Sequence, residues 1–200
     1  PNGRYQIDLS WLQCHYLAGS RCGYMSQKFV DRFGAPRKPK EPIERKHQNI
    51  AASLQFVLEE TALHIARHLH NVAKSKKLCL AGGVALNCSM NGRLLREGPF
   101  DEIFVQPAAG DDGIAIGAAL QKHYELTRAP REFRMTHAYW GPEYSNDAIE
   151  QFLDLAKLPH EKPPNVIERT ADLLAEGKIV GWYQGRMEFG PRALGSRSIL

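Results

Sequence analysis

No stretch of this chain approaches the roughly 20 consecutive apolar residues that a membrane-spanning helix requires. The opening PNGRYQIDLSW has no basic segment running into an apolar one, so it shows no secretory leader. Cysteine is sparse. Cys14, Cys22, Cys79 and Cys88 form no CxxC pair, which argues against a zinc ribbon or a thioredoxin-type site. They are also too few for a disulfide scaffold and are expected to be reduced thiols in a cytoplasmic protein. GxGxxG and GxxxxGK[ST] are both absent, so neither the Rossmann nor the Walker mechanism applies. No internal repeat is visible. The excess of positive charge is small, Lys+Arg 26 against Asp+Glu 22. A net +4 spread along the chain suits a small anionic ligand and does not announce nucleic acid.

What is present is an ordinary globular composition, 43% hydrophobic and 24% charged. That excludes collagen, mucin-like stalks and wholesale disorder. Residues 1–46 show little periodicity, and APRKPKEPIERK (35–46) reads as an extended solvated loop. From about His47, Ile50, Leu54, Val57, Leu58, Ile65, Leu69 and Val72 recur at helical spacing, predicting a long helix closed by the basic run 74–77. Leu78–Ala81 reads as a buried strand bounded by Gly82-Gly83. A helix over Ala85 to about Arg96 follows, with Leu86, Met90 and Leu94 on one face. Ile103–Val105 is a second short strand, and a helix is expected over about Asp112–Leu126. Its Gly113, Ala115, Gly117, Ala118 and Ala119 would let it pack closely on a sheet.

The pattern lapses between Thr127 and Ser145, placing a domain boundary near Met135. Ser145 is placed to cap a helix carrying Ile149, Phe152, Leu153 and Ala156. Ile167, Ala171 and Leu174 mark another helix, closed by Gly177, and Ile179–Tyr183 reads as a strand. Strands alternating with helices argue for an α/β fold. Pro1 in place of Met, and Leu200 without capping chemistry, suggest an excerpt of a longer protein.

Four constellations carry possible chemistry. Gly82 and Gly83 between strand and helix would let a flat ligand approach the backbone, or would form a plain tight turn. Asp111 and Asp112 at a helix start would ligate a hard cation, or would be an N-cap and a first-turn acid. The terminal GRMEFGPRALGSRS brings Arg186, Arg192 and Arg197 together with glycines and suits phosphate better than a solvated basic turn. His64 and His68 share a helix face, but no third ligand lies near in sequence, so surface or packing histidines is the better reading.

Together, LCLAGGVALNCSMNGRLLREGPFDEIFVQPAAGDDGIAIGAAL and GKIVGWYQGRMEFGPRALGSRSIL closely resemble the O-carbamoyltransferase family of nodulation and antibiotic-tailoring enzymes. The likeness covers nearly the whole chain, more weakly over residues 1–40. It implies the second half of an actin-like ATPase domain over 1–135, then the start of an adenylate-forming, YrdC-like domain over 136–200. Such enzymes combine carbamoyl phosphate with ATP into carbamoyl-adenylate and pyrophosphate, then carbamoylate a hydroxyl of a small-molecule acceptor beside a divalent metal. The resemblance implies that Gly82, Gly83 and Asn87 cradle the nucleotide, with Arg186 assisting, and that Asp111 binds metal. It likewise implies that Arg192 and Arg197 contact the phosphate-bearing substrates. Asp112 stands where the family often has a small residue, leaving either aspartate as the ligand, and Ser196 stands where Asn is common. The family's metal-binding histidines would lie upstream of Pro1, so this chain alone is expected to be inactive. A kinase of the actin-like superfamily and a non-catalytic nucleotide-binding module are the alternatives.

Overall fold

A computed structural model describes residues 3–12 and 25–200. Cys14 and Cys22 lie outside the described residues, while Cys79 and Cys88 are exposed and free. The architecture is α/β, with six α-helices and two two-stranded sheets among the described residues. Contacts divide the chain into two units, Pro1–Leu78 with Cys88–Ile103, and Cys79–Asn87 with Phe104–Leu200.

In the first unit, α1 (Gln27–Phe33) is a short helix that the sequence reading missed; its N-cap Ser26 accepts from the Phe29 amide. Residues 34–44 are exposed, as their proline and charge content leads one to expect. The long helix α2 (Arg45–Ala73) starts at a capping box between Glu44 and His47. It stops where Lys74 turns left-handed at φ +55. The strand β1 (Lys77–Leu80), the helix α3 (Cys88–Glu97) and the strand β2 (Glu102–Val105) follow. The strands are hydrogen-bonded neighbours.

α2 and α3 pack on one another. Leu63 and Ala66 of α2 are buried, as are Met90 and Leu94 of α3, and each large side chain so enclosed is worth about 2 kcal/mol. The expected α2 stripe is not this buried face: Leu54 is 72% exposed, and Val57 and Val72 are exposed too. Periodicity identifies an apolar helix, but a partner decides which positions are covered, and α3 is only ten residues long. One guanidinium joins the pair. Arg93 binds Glu60, reaches Glu59 at 3.3 Å and Glu97 at 3.1 Å, and lies 5.7 Å from the Phe56 ring.

In the second unit, α4 (Ile114–Thr127) follows a 3-10 turn at Asp111–Gly113. Its small residues do not pack as expected: Ala115, Gly117, Ala118 and Ala119 are exposed. α5 (Asn146–Leu155) is capped by Ser145 as anticipated, its side chain accepting from the Ala148 amide. The Asn165 side chain caps α6 (Val166–Ala175), and Gly177, at φ +75, closes it by donating to the Leu174 carbonyl. β3 (Gly181–Tyr183) pairs antiparallel with β4 (Arg197–Ile199), setting Gly181 opposite Ile199 and Tyr183 opposite Arg197. The pairing extends beyond the strands through Val180 with Leu200 and through the Gln184 amide to the Ser196 carbonyl. Sequence reading found β3 but left β4 inside the Gly- and Arg-rich tail.

Candidate functional site

The seven residues to which the resemblance gives roles, and Asp112, belong to the second unit, whereas His64 and His68 lie on α2 in the first. The first piece follows β1. Gly82 has φ +94, a conformation glycine adopts without penalty, and its amide donates to the Ala109 carbonyl at 2.7 Å. Gly83 opens a 3-10 turn, Gly83–Leu86, rather than the α-helix expected from Ala85. The turn ends at Asn87, whose extended backbone (φ −81, ψ 95) breaks the helical path before α3 starts at Cys88. Both glycines are exposed, and nothing lies within 4 Å of where a Cβ would stand on either. The main chain here is open to a flat ligand, and Asn87 lies half-buried at the end of the turn.

The second piece is Gln106–Gly113. The Gln106 amide bonds the Leu80 carbonyl at 3.2 Å, and its side-chain oxygen accepts from the Ala108 amide at 3.3 Å. Ala108 and Ala109 are buried. A Cβ on Gly113 would overlap the Ala108 carbonyl oxygen, so only glycine fits there. A Cβ on Gly110 would stand 3.2 Å from Asp112 Oδ1 and 3.9 Å from a Leu86 methyl, which places the aspartates beside the diglycine turn. Asp111 and Asp112 are exposed. Their carboxylates suit a hard divalent cation but form only part of a ligand set. Among the described residues no group of three or more His, Cys, Asp or Glu gathers to complete one, around His64 and His68 or elsewhere.

The third piece is the loop Gln184–Ser196 between β3 and β4. It folds around Glu188, whose side chain is 0% exposed. Glu188 Oε1 accepts from the amides of Leu194 and Ser196, both at 2.9 Å. Its Oε2 lies 3.4 Å from Arg197 Nε and has no hydrogen-bond partner. Arg197 also donates to the Gly190 carbonyl. Gly190 has φ +112, and a Cβ there would overlap the Pro107 carbonyl oxygen, so the loop presses directly on the second piece.

The three predicted arginines therefore differ. Arg197 is held by Glu188 and Gly190, and Arg186 donates through Nε to the Gly141 carbonyl at 3.1 Å. Arg192 is exposed at the loop tip with no side-chain partner among the described residues. Arg186 also lines an open depression of about 630 Å³ with His137, Tyr139, Gln184, Gly185 and Ser196. His137 stacks on Trp140 at 4.9 Å, and the segment is tied to the loop where the Phe189 amide meets the Ala138 carbonyl at 2.6 Å.

Sequence reading brought forward the arginines and missed Glu188, His137 and Tyr139. A lone acid among three arginines was a usable signal for Glu188. Nothing local marked His137 or Tyr139, since both lie in a stretch read as a boundary.

Two family models match the chain, Carbamoyltransferase N-terminus over residues 3–120 and Carbamoyltransferase C-terminus over residues 171–200. An uncharacterized protein of Synechocystis sp. is 46% identical over 208 residues, covering 100% of this chain and 33% of that protein. Nodulation protein NolNO of Sinorhizobium fredii is 46% identical, covering 86% of this chain and 27% of its own length. A 3'-hydroxymethylcephem-O-carbamoyltransferase of Streptomyces clavuligerus is 35% identical, covering 79% and 29%. The chain thus spans about a third or less of the length of these relatives.

Proposed function

Since the chain belongs to the carbamoyltransferase family, we propose that it is part of an enzyme carrying a carbamoyl group from carbamoyl phosphate to a hydroxyl of a small molecule. Carbamoyl phosphate, ATP and water give carbamoyl-adenylate, pyrophosphate and phosphate. The acceptor oxygen then bonds the carbamoyl carbon as AMP leaves and the hydroxyl proton is released. Residues 1–135 are the second half of an actin-like domain and 136–200 open a YrdC-like domain.

The observation that carries this reading is Arg192, an unpaired guanidinium on a loop whose other charged groups are internally bound. A planar fork with free donors suits phosphate oxygens, and its charge offsets the negative charge that develops during transfer. Arg186 and Arg197 add positive potential, and both keep donors beyond their internal bonds. The open backbone at Gly82-Gly83, with Asn87 beside it, receives the nucleotide. Asp111 supplies one ligand to a divalent metal, which when bound would neutralise oxygen charge on the reacting groups. Among the described residues no further ligands gather beside it, and activity is assigned to the intact-length protein and not to these 200 residues alone.

The test uses the intact-length protein with ATP, carbamoyl phosphate and Mg²⁺, without acceptor, and follows pyrophosphate. Release that requires carbamoyl phosphate and collapses in Arg192→Ala supports the proposal. ATP binding without pyrophosphate release overturns it.

A further inference from the structure

Glu188 is the only charged residue buried among the described residues. Enclosing a carboxylate is costly unless donors surround it. Here the donors are main-chain amides of the arginine loop itself, Leu194 and Ser196, with Arg197 facing the other oxygen. Gly195, between those two amides, has φ +113, and nothing stands within 4 Å of its Cβ position, so it is glycine for the turn it makes and not for space. The amides of Arg192, Ala193 and Gly195 carry no internal hydrogen bond among the described residues.

We infer that Glu188 is the positioning residue of an anion cradle. By holding the Leu194 and Ser196 amides, it shapes the loop so that the free amides of Ala193 and Gly195 and the Arg192 guanidinium serve one phosphate group. An acid at the centre of an anion site is otherwise unfavourable, and its engagement by Arg197 and two amides screens it from the ligand. This role rests on the reading of the loop as the carbamoyl phosphate site. Glu188 does not touch the substrate and acts through the loop.

The experiment measures binding of carbamoyl phosphate and of ATP to the intact-length protein, together with amide hydrogen exchange over 190–197. Glu188→Gln leaves the two amides only a neutral, weaker acceptor and sets an NH₂ group against Arg197, so it is expected to raise the Kd for carbamoyl phosphate about threefold or more. The ATP Kd should change less than about twofold, because Glu188 holds the 194–196 end of the loop, whereas Arg186, the loop residue given to the nucleotide, is bonded to Gly141. The double variant Glu188→Gln/Arg192→Ala should lose less than the sum of the two single losses, because Arg192 is one of the groups that Glu188 positions, while the Ala193 and Gly195 amides still depend on it. Unchanged carbamoyl phosphate binding in Glu188→Gln, or additive losses, overturns the inference while leaving the carbamoyl phosphate site standing. Failure of the unaltered protein to bind carbamoyl phosphate overturns both. Should Glu188→Gln not fold, the unaltered protein decides: Leu194 and Ser196 amides exchanging as fast as an unstructured chain refute the clamp. Gly195→Ala, which strains the turn and keeps every charge, is then expected to weaken carbamoyl phosphate binding in the same direction, and unchanged binding overturns the inference.

Discussion

The Gly82 amide donates to the Ala109 carbonyl at 2.7 Å, tying the diglycine turn to the segment that carries the two aspartates. Gly190 meets the same segment at Pro107. Three motifs distant in sequence are thus referenced to one short stretch of backbone, Pro107–Gly110.

Glycines in this arrangement separate structure from ligand contact. Gly190→Ala combines a left-handed φ with overlap on the Pro107 carbonyl and is expected to cost about 2 kcal/mol or more. Gly83→Ala meets open space and should change stability by less than about 0.5 kcal/mol. In the intact-length protein the same Gly83→Ala change should nonetheless raise the KM for ATP, because the new methyl occupies the ligand's approach. Thermal melts and ATP kinetics on the two variants check both statements.

Arg192→Ala should leave the melting temperature unchanged, since the side chain is exposed and unpaired. Carbamoyl phosphate-dependent pyrophosphate release should fall about a hundredfold or more, the scale for removing one preorganised charge-stabilising donor.

The two aspartates are separable. Asp112 lies over Gly110, with Oδ1 3.2 Å from the position of a Cβ there, whereas Asp111 is the position to which the family resemblance gives the metal. Asp111→Asn should weaken divalent-ion binding by the intact-length protein more than Asp112→Asn does, as read by calorimetric titration with Mn²⁺. Equal losses would assign the ligand role to both.

The last turn of α3 should be acid-sensitive. Arg93, through its hydrogen bond and then its charge, holds the Glu97 carboxyl below the usual carboxylate range. A group whose pKa is lowered by folding stabilises the fold above its unfolded pKa, and that contribution is lost as pH falls through the folded value. Acidification below the ordinary carboxylate range should therefore lower the urea midpoint. Arg93→Gln should lower it at neutral pH and flatten that part of its acid dependence.

How much of this was legible in sequence depended on the range of the interactions. The limits of α2 were readable to within about two residues because helical periodicity and the terminal basic run are local signals. Its buried face was not, since Leu63 and Ala66 are buried while Leu54 and Val57 find no cover, and only packing decides between them. The Ser145 cap was readable for the same local reason. β4 was hidden because Arg197-Ser198-Ile199 becomes a strand only by pairing with Gly181–Tyr183. Glu188 was hidden because its importance lies in amides six and eight residues ahead. The arginines were found by type, but which of them is free could be known only from where Glu188 and Gly141 stand.

The antiparallel register gives the arginine loop a fixed length. Tyr183 faces Arg197, and both ends of the loop are pinned, so its residue count is set as firmly as its composition. Removing one residue between Gly185 and Gly195 would either pull Glu188 away from its amides or slip β4 by one position. A one-residue slip turns every side chain to the opposite face, which would bring Ser198 to the place of Arg197. Such a segment tolerates a change of side chain at exposed Ala193 far better than any change in spacing. Insertions and deletions there should be more damaging than substitutions, the reverse of what is usual for a surface loop.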